Sequence, residues 1–329
     1  MTIPLITIVT PVFNEEAGLA RYAETVAAVL MSRPDVSIRV LFVDDGSADK
    51  SWAMIREICA RDPRFSGLHL SRNFGAHVAL SAGIDHAAGD AIATLACDLQ
   101  DPPETILGFI DAWRAGAEIV WGTRRERKDA GWRVFTSRLF NIAIRRYAMP
   151  RGSKFSTGSF FLIDRKVVDC FMQFRERNRI TFALVAWTGF EQVNVYYDRQ
   201  ARTSGVSGWT FGRMIRAMYD TFIGFSNVPA RLITFAGISV SLATIPFSIY
   251  LVVNWWLYGA LEGWTGIMLA LAFFFGLLFL MLGMIGEYLH RIYAEVTGRP
   301  LYFISHSAGD LPLLKTSDDN PAAYDRRDS

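Results

Sequence analysis

What this chain of 329 residues lacks narrows its class. Its three cysteines, Cys59, Cys97 and Cys170, are too few and too scattered for a disulfide framework or a zinc site. It contains no GxGxxG and no GxxxxGK[ST], so a nucleotide would have to bind without the usual glycine-rich phosphate loops. A formal net charge of only +2 gives no global field directed at nucleic acid. The N-terminus has neither a basic n-region nor a small-residue cleavage site and does not read as a signal peptide. Charge itself is missing from two runs. Residues 233–256 (ITFAGISVSLATIPFSIYLVVNWW) and 264–286 (WTGIMLALAFFFGLLFLMLGMIG) hold no Asp, Glu, Lys, Arg or His.

Each run is long enough to cross a hydrocarbon core of roughly 30 Å as a helix. A soluble core rarely needs two adjacent uncharged segments of this length. Arg213, Arg216 and Arg231 precede the first, His290, Arg291 and Arg299 follow the second, and the connection 257–263 carries only Glu262. The positive-inside rule then places both ends in the cytoplasm and the short turn outside, where Trp255, Trp256, Tyr258 and Trp264 form an aromatic belt. Small residues line one side of each span: Gly237, Ser241, Thr244 and Ser248, then Ala272, Gly276 and Gly283. Such stripes permit close helix packing, including a homo-oligomer. Residues 209–225 present Phe211, Met214, Ile215, Met218, Phe222 and Phe225 at helical spacing, as an interfacial helix leading into the first span or as an ordinary packed one. Ten Arg and Lys residues between Arg124 and Lys154 make either a solvated face or a surface for anionic headgroups or an anionic lipid. The tail after Ser305 is polar and reads as disordered.

The first part of the chain alternates strand and helix. Apolar strand runs fall at 6–10, 40–43, 67–70, 91–96 and 119–121, with helical spacing at 17–30, 51–60, 76–87 and 103–115. This predicts an α/β domain with a mostly parallel sheet. In such sheets ligands bind beyond the carboxyl ends of the strands. Here those ends carry Asn14-Glu15-Glu16, Asp44-Asp45, Asp98 and Arg124-Arg125. Carboxylates gathered around one crevice repel unless a cation or hydrogen-bond donors compensate. A divalent cation with oxygen ligands would do so and would in turn hold a diphosphate. Individually such residues are weak signals: Asp49 and Asp101 suit simple helix caps.

Four blocks carry a family resemblance: Pro11-Val12-Phe13-Asn14-Glu15-Glu16, Val43-Asp44-Asp45-Gly46-Ser47, Ser71-Arg72-Asn73-Phe74-Gly75 and Asp98-Leu99-Gln100-Asp101-Pro102-Pro103. In this order, followed by two spans, they resemble family 2 glycosyltransferases of the GT-A fold. Within that family they are similar to the polyprenyl-phosphate glycosyltransferases: bactoprenol glucosyltransferases, undecaprenyl-phosphate aminoarabinose transferases and dolichol-phosphate mannose synthases. The segment Gly286-Glu287-Tyr288-Leu289-His290-Arg291-Ile292-Tyr293 also resembles the bacterial members. The resemblance implies a Rossmann-like GT-A domain over 1–208, a juxtamembrane helix over 209–231, two transmembrane helices over 232–289 and a cytoplasmic tail over 290–329. It implies inverting transfer of a sugar from a nucleotide-sugar to a polyprenyl phosphate at a bacterial inner membrane, with a flippase as downstream partner. Pro11, Phe13 and Glu15 would line the base pocket. Val43 and Asp45 would meet base and ribose, with Ala96 and Cys97 beside the donor. Asp98 and Gln100 would hold Mg²⁺ or Mn²⁺, and Arg124 and Arg202 would reach the phosphates.

Three positions depart from the family pattern. The first Asp of Asp-x-Asp is Ala96. The Gly-Asp-Phe-Arg block reads Gly158-Ser159-Phe160-Phe161, and the Glu-Ser-Lys-Tyr block reads Val206-Ser207-Gly208-Trp209. An altered sugar specificity accounts for these losses, and a catalytically degenerate membrane scaffold is the alternative. A processive polysaccharide synthase would bring a Gln-x-x-Arg-Trp motif and more spans, and neither is present. On the topology, a cysteine introduced at Gly259 is expected to react with a membrane-impermeant thiol reagent in intact cells, and one in the tail is not; the opposite labelling pattern would reverse the orientation.

Overall fold

In the computed structural model the described residues are 3–31, 33–125, 158–176, 179–199 and 263–311, with scattered positions between 235 and 257. The chain divides into two compact units, residues 1–218 with 300–329, and residues 219–299.

The first unit is an α/β domain. Its strands are β1 (Leu5–Val12), β2 (Ser37–Asp44), β3 (Phe65–Leu70), β4 (Ala91–Thr94), β5 (Ile119–Arg124), β6 (Phe161–Asp164), β7 (Gln192–Tyr197) and β8 (Ile304–Ala308). Its helices are α1 (Leu19–Val29), α2 (Ser51–Arg61), α3 (Ala76–His86), α4 (Glu104–Arg114), α5 (Arg165–Phe171) and α6 (Thr181–Trp187). The strands form one sheet in the order β7-β5-β6-β4-β1-β2-β3-β8. Pairings β1–β2, β1–β4, β2–β3 and β5–β7 are parallel. Pairings β3–β8, β4–β6 and β5–β6 are antiparallel. Parallel strands need helical crossovers and are covered on both faces, which is why β1 and β2 read as near-continuous apolar runs.

Side chains alternate across the sheet. Ile6, Ile8, Val40, Phe42, Ala91 and Ala93 share one buried cluster with Leu19, Tyr22 and Val26 of α1, Ile55 of α2, and Ile106 and Phe109 of α4. The opposite face carries α3, packed so closely that a Cβ on Gly83 would lie 2.2 Å from Val9 Cγ1 and 3.0 Å from Val43 Cγ2.

The expected β1–β5 and α1–α4 are all present. The sheet also takes in strands that the apolar pattern did not mark. β6 inserts antiparallel between β4 and β5. Residues 306–308, the start of the tail expected to be disordered after Ser305, instead pair through β8 with β3, and the tail beyond 311 lies outside the described residues. Main-chain bonds to β3 and its loop are the reason: Ser71 N donates to Phe303 O at 2.9 Å, and Ser305 Oγ donates to His69 O at 3.1 Å. The Tyr302 hydroxyl donates to Asp85 Oδ2 at 3.1 Å, anchoring the same segment on α3.

The second unit contains α7 (Trp264–Val296), 33 residues long, or about 50 Å at 1.5 Å per residue. Its Phe274–Val296 portion is long and apolar enough to cross a membrane. The second expected span falls within α7. The first span lies outside the described residues except for scattered helical, exposed positions such as Phe235, Leu242 and Phe247. The described residues thus show one such helix and not a hairpin. The expected interfacial helix at 209–225 and most of the basic run up to Lys154 also lie outside them.

Gly83→Ala is expected to destabilise the first unit. Overpacking against Val9 costs about 1–3 kcal/mol, above the roughly 1 kcal/mol that Ala gains over Gly in a helix. Thermal unfolding of purified protein checks this, and an unchanged or higher midpoint would mean that α3 can lift off the sheet.

Candidate active site

The carboxyl ends of β1 and β4 open into one crevice, and that of β2 lies beside β1. The floor of the crevice depends on how three loops are held. The loop after β1 is stitched to the loop after β2 by side chains. Asn14 N donates to Ser47 Oγ at 2.9 Å and Ala48 N returns a bond to Asn14 Oδ1 at 2.9 Å. Glu15 N donates to Ser51 Oγ at 2.9 Å. Glu16 N donates to Asp49 Oδ2 at 3.2 Å, and Lys50 N to Glu16 Oε2 at 3.0 Å. Asp49 Oδ1 also accepts from Ser51 N at 2.9 Å, so it serves the start of α2 and the neighbouring loop together.

Asp44 and Asp45 are adjacent and buried, 0% and 3% exposed. Asp44 Oδ1 accepts from the Ser47 hydroxyl and its amide, while Oδ2 pairs with His69 Nδ1 at 2.6 Å. Asp45 accepts from Phe74 N at 2.7 Å on one oxygen and from Gly75 N at 2.8 Å on the other. Burial pushes the Asp45 carboxyl above its ordinary range, and these two amide bonds act against that shift. Asp45, expected on base and ribose, is thus engaged in holding the loop after β3. Val43 is fully buried, facing the Gly83 side of α3. Pro11 is partly buried, and Phe13 is 46% exposed.

The side of the crevice between β1 and β4 is lined by Glu15, Ala17, Gly18, Arg21, Cys97, Asp98 and Leu99. Leu99 has φ 51°, as Asn14 has φ 53°. Left-handed backbone costs a non-glycine residue about 1–2 kcal/mol. At Leu99 the side chain packs against the buried core and sustains the turn that carries Asp98. Gln100 N donates to Asp98 Oδ1 at 3.2 Å. Burial pushes the Cys97 thiol well above its ordinary range, and the charges of Glu15 and Asp98 push the same way. Cys97 is therefore a neutral lining group and no nucleophile. Ala96 is partly buried, without a donor atom on its side chain.

Beyond Asp98 the site continues to β5 and β7. Asp101, which the sequence offered as a cap for α4, makes no such bond, since the start of α4 has no side-chain cap. It is 8% exposed and accepts from the Tyr197 hydroxyl at 2.5 Å. Arg124 and Arg199 flank it at 4.0 and 3.7 Å. Arg199 also donates to Gln100 Oε1. Arg199 was missed by the sequence reading. It lies two residues past β7, a strand the apolar pattern did not mark, which runs parallel beside β5 and so ends on the same side. Arg202 and Gly208 lie outside the described residues. Ser159 is exposed, its carbonyl accepting from Thr94 Oγ1 at 2.5 Å at the end of β4.

Among the described residues no group of three or more His, Cys, Asp or Glu is placed to hold a metal. Asp98 suits a hard divalent cation that draws most of its oxygen ligands from a bound diphosphate and water. Gln100 suits it less, because its amide oxygen already faces a guanidinium.

The model for glycosyl transferase family 2 matches residues 7–172. The chain belongs to this family and is a glycosyltransferase. It is 37% identical over 319 residues to an uncharacterized glycosyltransferase of Synechocystis sp., covering 96% of this chain and 99% of that one. It is 31% identical over 304 residues to the SfII prophage-derived bactoprenol glucosyl transferase of Shigella flexneri, covering 92% and 98%. It is 32% identical over 318 residues to the undecaprenyl-phosphate 4-deoxy-4-formamido-L-arabinose transferase of Pseudomonas aeruginosa, covering 94% and 92%.

Asp45→Asn tests the loop clamp. The Asn amide has one acceptor oxygen for two amide donors, so one bond is lost and a donor faces a donor, at about 1–3 kcal/mol. Hydrogen exchange at Phe74 and Gly75 is expected to accelerate by about 5- to 150-fold; unchanged protection would show that Asp45 does not hold this loop.

Proposed function

We propose that this protein transfers a sugar from a nucleotide-sugar to a polyprenyl phosphate, with inversion, at the cytoplasmic face of a bacterial inner membrane. The observation that carries this reading is near-full-length similarity to a bactoprenol glucosyl transferase and an undecaprenyl-phosphate sugar transferase. The strand-end crevice with Asp98 at its rim supports it, as does a long apolar helix in the same chain. The proposed organisation is a catalytic domain over 1–208, an interfacial helix over 209–231, a two-helix membrane hairpin over 232–289 and a cytoplasmic tail. To that plan the structure adds the return of 304–308 to the catalytic sheet.

The chemistry asks little of a general base. A polyprenyl phosphate is largely ionised at neutral pH, so the acceptor is already a nucleophile. The protein must bring two anions together, align them, and stabilise the departing nucleoside diphosphate. Phe13 and Pro11 offer an apolar seat for the base, with Glu15 at its edge. Asp98 would anchor Mg²⁺ or Mn²⁺, which when bound neutralises the diphosphate leaving group. Arg124 supplies a fixed guanidinium fork toward phosphate oxygens, and Arg202 is assigned the same task from the family pattern alone. Alignment in the crevice lowers the entropic barrier. The product would be a lipid-linked sugar for envelope glycan modification, to be carried across the membrane by a flippase. Ala96 and Ser159 favour a changed donor sugar over the family's usual one. They are also what a degenerate scaffold would show, and activity separates the two.

Purified full-length protein, screened with UDP-, GDP- and other activated sugars and undecaprenyl phosphate, is expected to transfer one of them. Asp98→Asn keeps the shape and removes the charge, and should lower transfer by about 10²-fold or more at unchanged thermal stability, the scale on which removing one electrostatic group lowers kcat. If Asp98 only capped its turn, Asn would serve nearly as well, and near-wild-type transfer with unaltered metal dependence would reject the cation-anchoring role.

A further inference from the structure

The Asp101 cluster has a charge imbalance. One carboxylate oxygen, Asp101 Oδ1, faces two guanidiniums, Arg124 Nη2 at 4.0 Å and Arg199 Nε at 3.7 Å, and also accepts the Tyr197 hydroxyl at 2.5 Å. Both cation separations exceed hydrogen-bond length. The carboxylate therefore holds the two forks by charge while leaving their N–H groups directed elsewhere. The remaining contacts are few among the described residues: Arg199 Nη2 to Gln100 Oε1, and Arg124 Nε to the Tyr197 hydroxyl at 3.4 Å. Asp198 does not balance them, since it pairs with Arg125 at 3.7 Å. The arginines are about one-third exposed, 33% and 37%, while the Asp101 side chain is 11% exposed. The anion is thus set underneath and the cations face outward. Two guanidiniums this close repel, and without a shared counter-charge they would splay.

We infer that Asp101 is a positioning residue that holds Arg124 and Arg199 as a paired receptor for phosphate oxygens, with Arg199 a binding residue of the site. The inference deepens the proposed transferase reading and rests on it for the identity of the phosphate, but not for the receptor itself. The shared chemistry is a phosphate group, from either the donor's diphosphate or the acceptor's phosphomonoester. Arginine forks suit both, since they present parallel N–H donors to two oxygens. Tyr197 completes the cradle: burial and Asp101 push its phenol up to about 12, so it stays a neutral hydrogen-bond donor to the carboxylate.

The test separates positioning from bare electrostatics by sign. Asp101→Asn removes a negative charge beside an anion site, so Coulomb attraction alone would tighten anion binding. Positioning predicts the reverse. Inorganic pyrophosphate titrated calorimetrically into the full-length protein, without added divalent cation, is expected to bind about tenfold more weakly to Asp101→Asn and to Arg199→Gln. The double variant should lose less than the sum of the two single losses, as expected for coupled residues. Arg199→Lys, which keeps the charge without the fork, should recover only part of the loss. Equal or tighter binding by Asp101→Asn overturns the positioning role, and unchanged binding by Arg199→Gln overturns the receptor. Should Asp101→Asn fail to fold, the Arg199 series still decides, because that side chain lies at the surface. In the transfer assay, a raised KM for the nucleotide-sugar in Arg199→Gln assigns the receptor to the donor. A raised KM for polyprenyl phosphate assigns it to the acceptor, and unchanged values for both reject a role in turnover. Wild-type protein that transfers no sugar would end the transferase reading while the pyrophosphate result still judged the receptor.

Discussion

Two neighbouring carboxylates at the end of β2, both withdrawn from water, are the constraint on which the crevice depends. A buried charge without partners is prohibitively costly, so each must be saturated with donors. Because successive strand residues face opposite ways, Asp44 and Asp45 draw their donors from different places. Asp44 takes Ser47 and His69. Asp45 takes the amides of Phe74 and Gly75. Ser47 in turn accepts from Asn14. The loops after β1, β2 and β3 are thereby tied to one short stretch of backbone, and the loop that carries Phe13 and Glu15 is held through it.

The far side of the site follows the same logic with guanidiniums in place of backbone amides. Around Asp101 a single buried anion organises two cations and a phenol drawn from β5, β7 and the turn past β7. Between these poles lies the Leu99 turn, whose unfavourable backbone is held by side-chain packing.

The first half of the fold was legible because parallel strands buried on both faces leave unbroken apolar runs. The segment 40–43 stands inside Ser37–Asp44, and 51–60 inside Ser51–Arg61. β6 was not legible: four residues leading directly into a helix carry no period of their own. β8 was not legible for a different reason. Its Ile-Ser-His-Ser-Ala sequence is an edge strand's, half polar, and its partner lies more than two hundred residues away. In the site, strand-end position alone was enough to gather Asp44, Asp45 and Asp98. It could not say which carboxylates also hold the scaffold. A helix cap and a buried counter-ion look alike in sequence, so Asp101 was misread. Arg199 was passed over because β7 was not recognised and its end had no address.

The late arrival of β8 has a consequence for biogenesis. His69 on β3 and Ser305 on β8 are 236 positions apart. At 5–20 residues per second that gap lasts on the order of 10–50 s on the ribosome. Throughout that time β3 is an open sheet edge, the kind of surface that recruits other strands. The chain closes it only after α7 has been synthesised. A truncated or stalled polypeptide therefore differs from a finished one by a row of unpaired backbone groups, a mark that a chaperone or protease can read without inspecting the crevice at all.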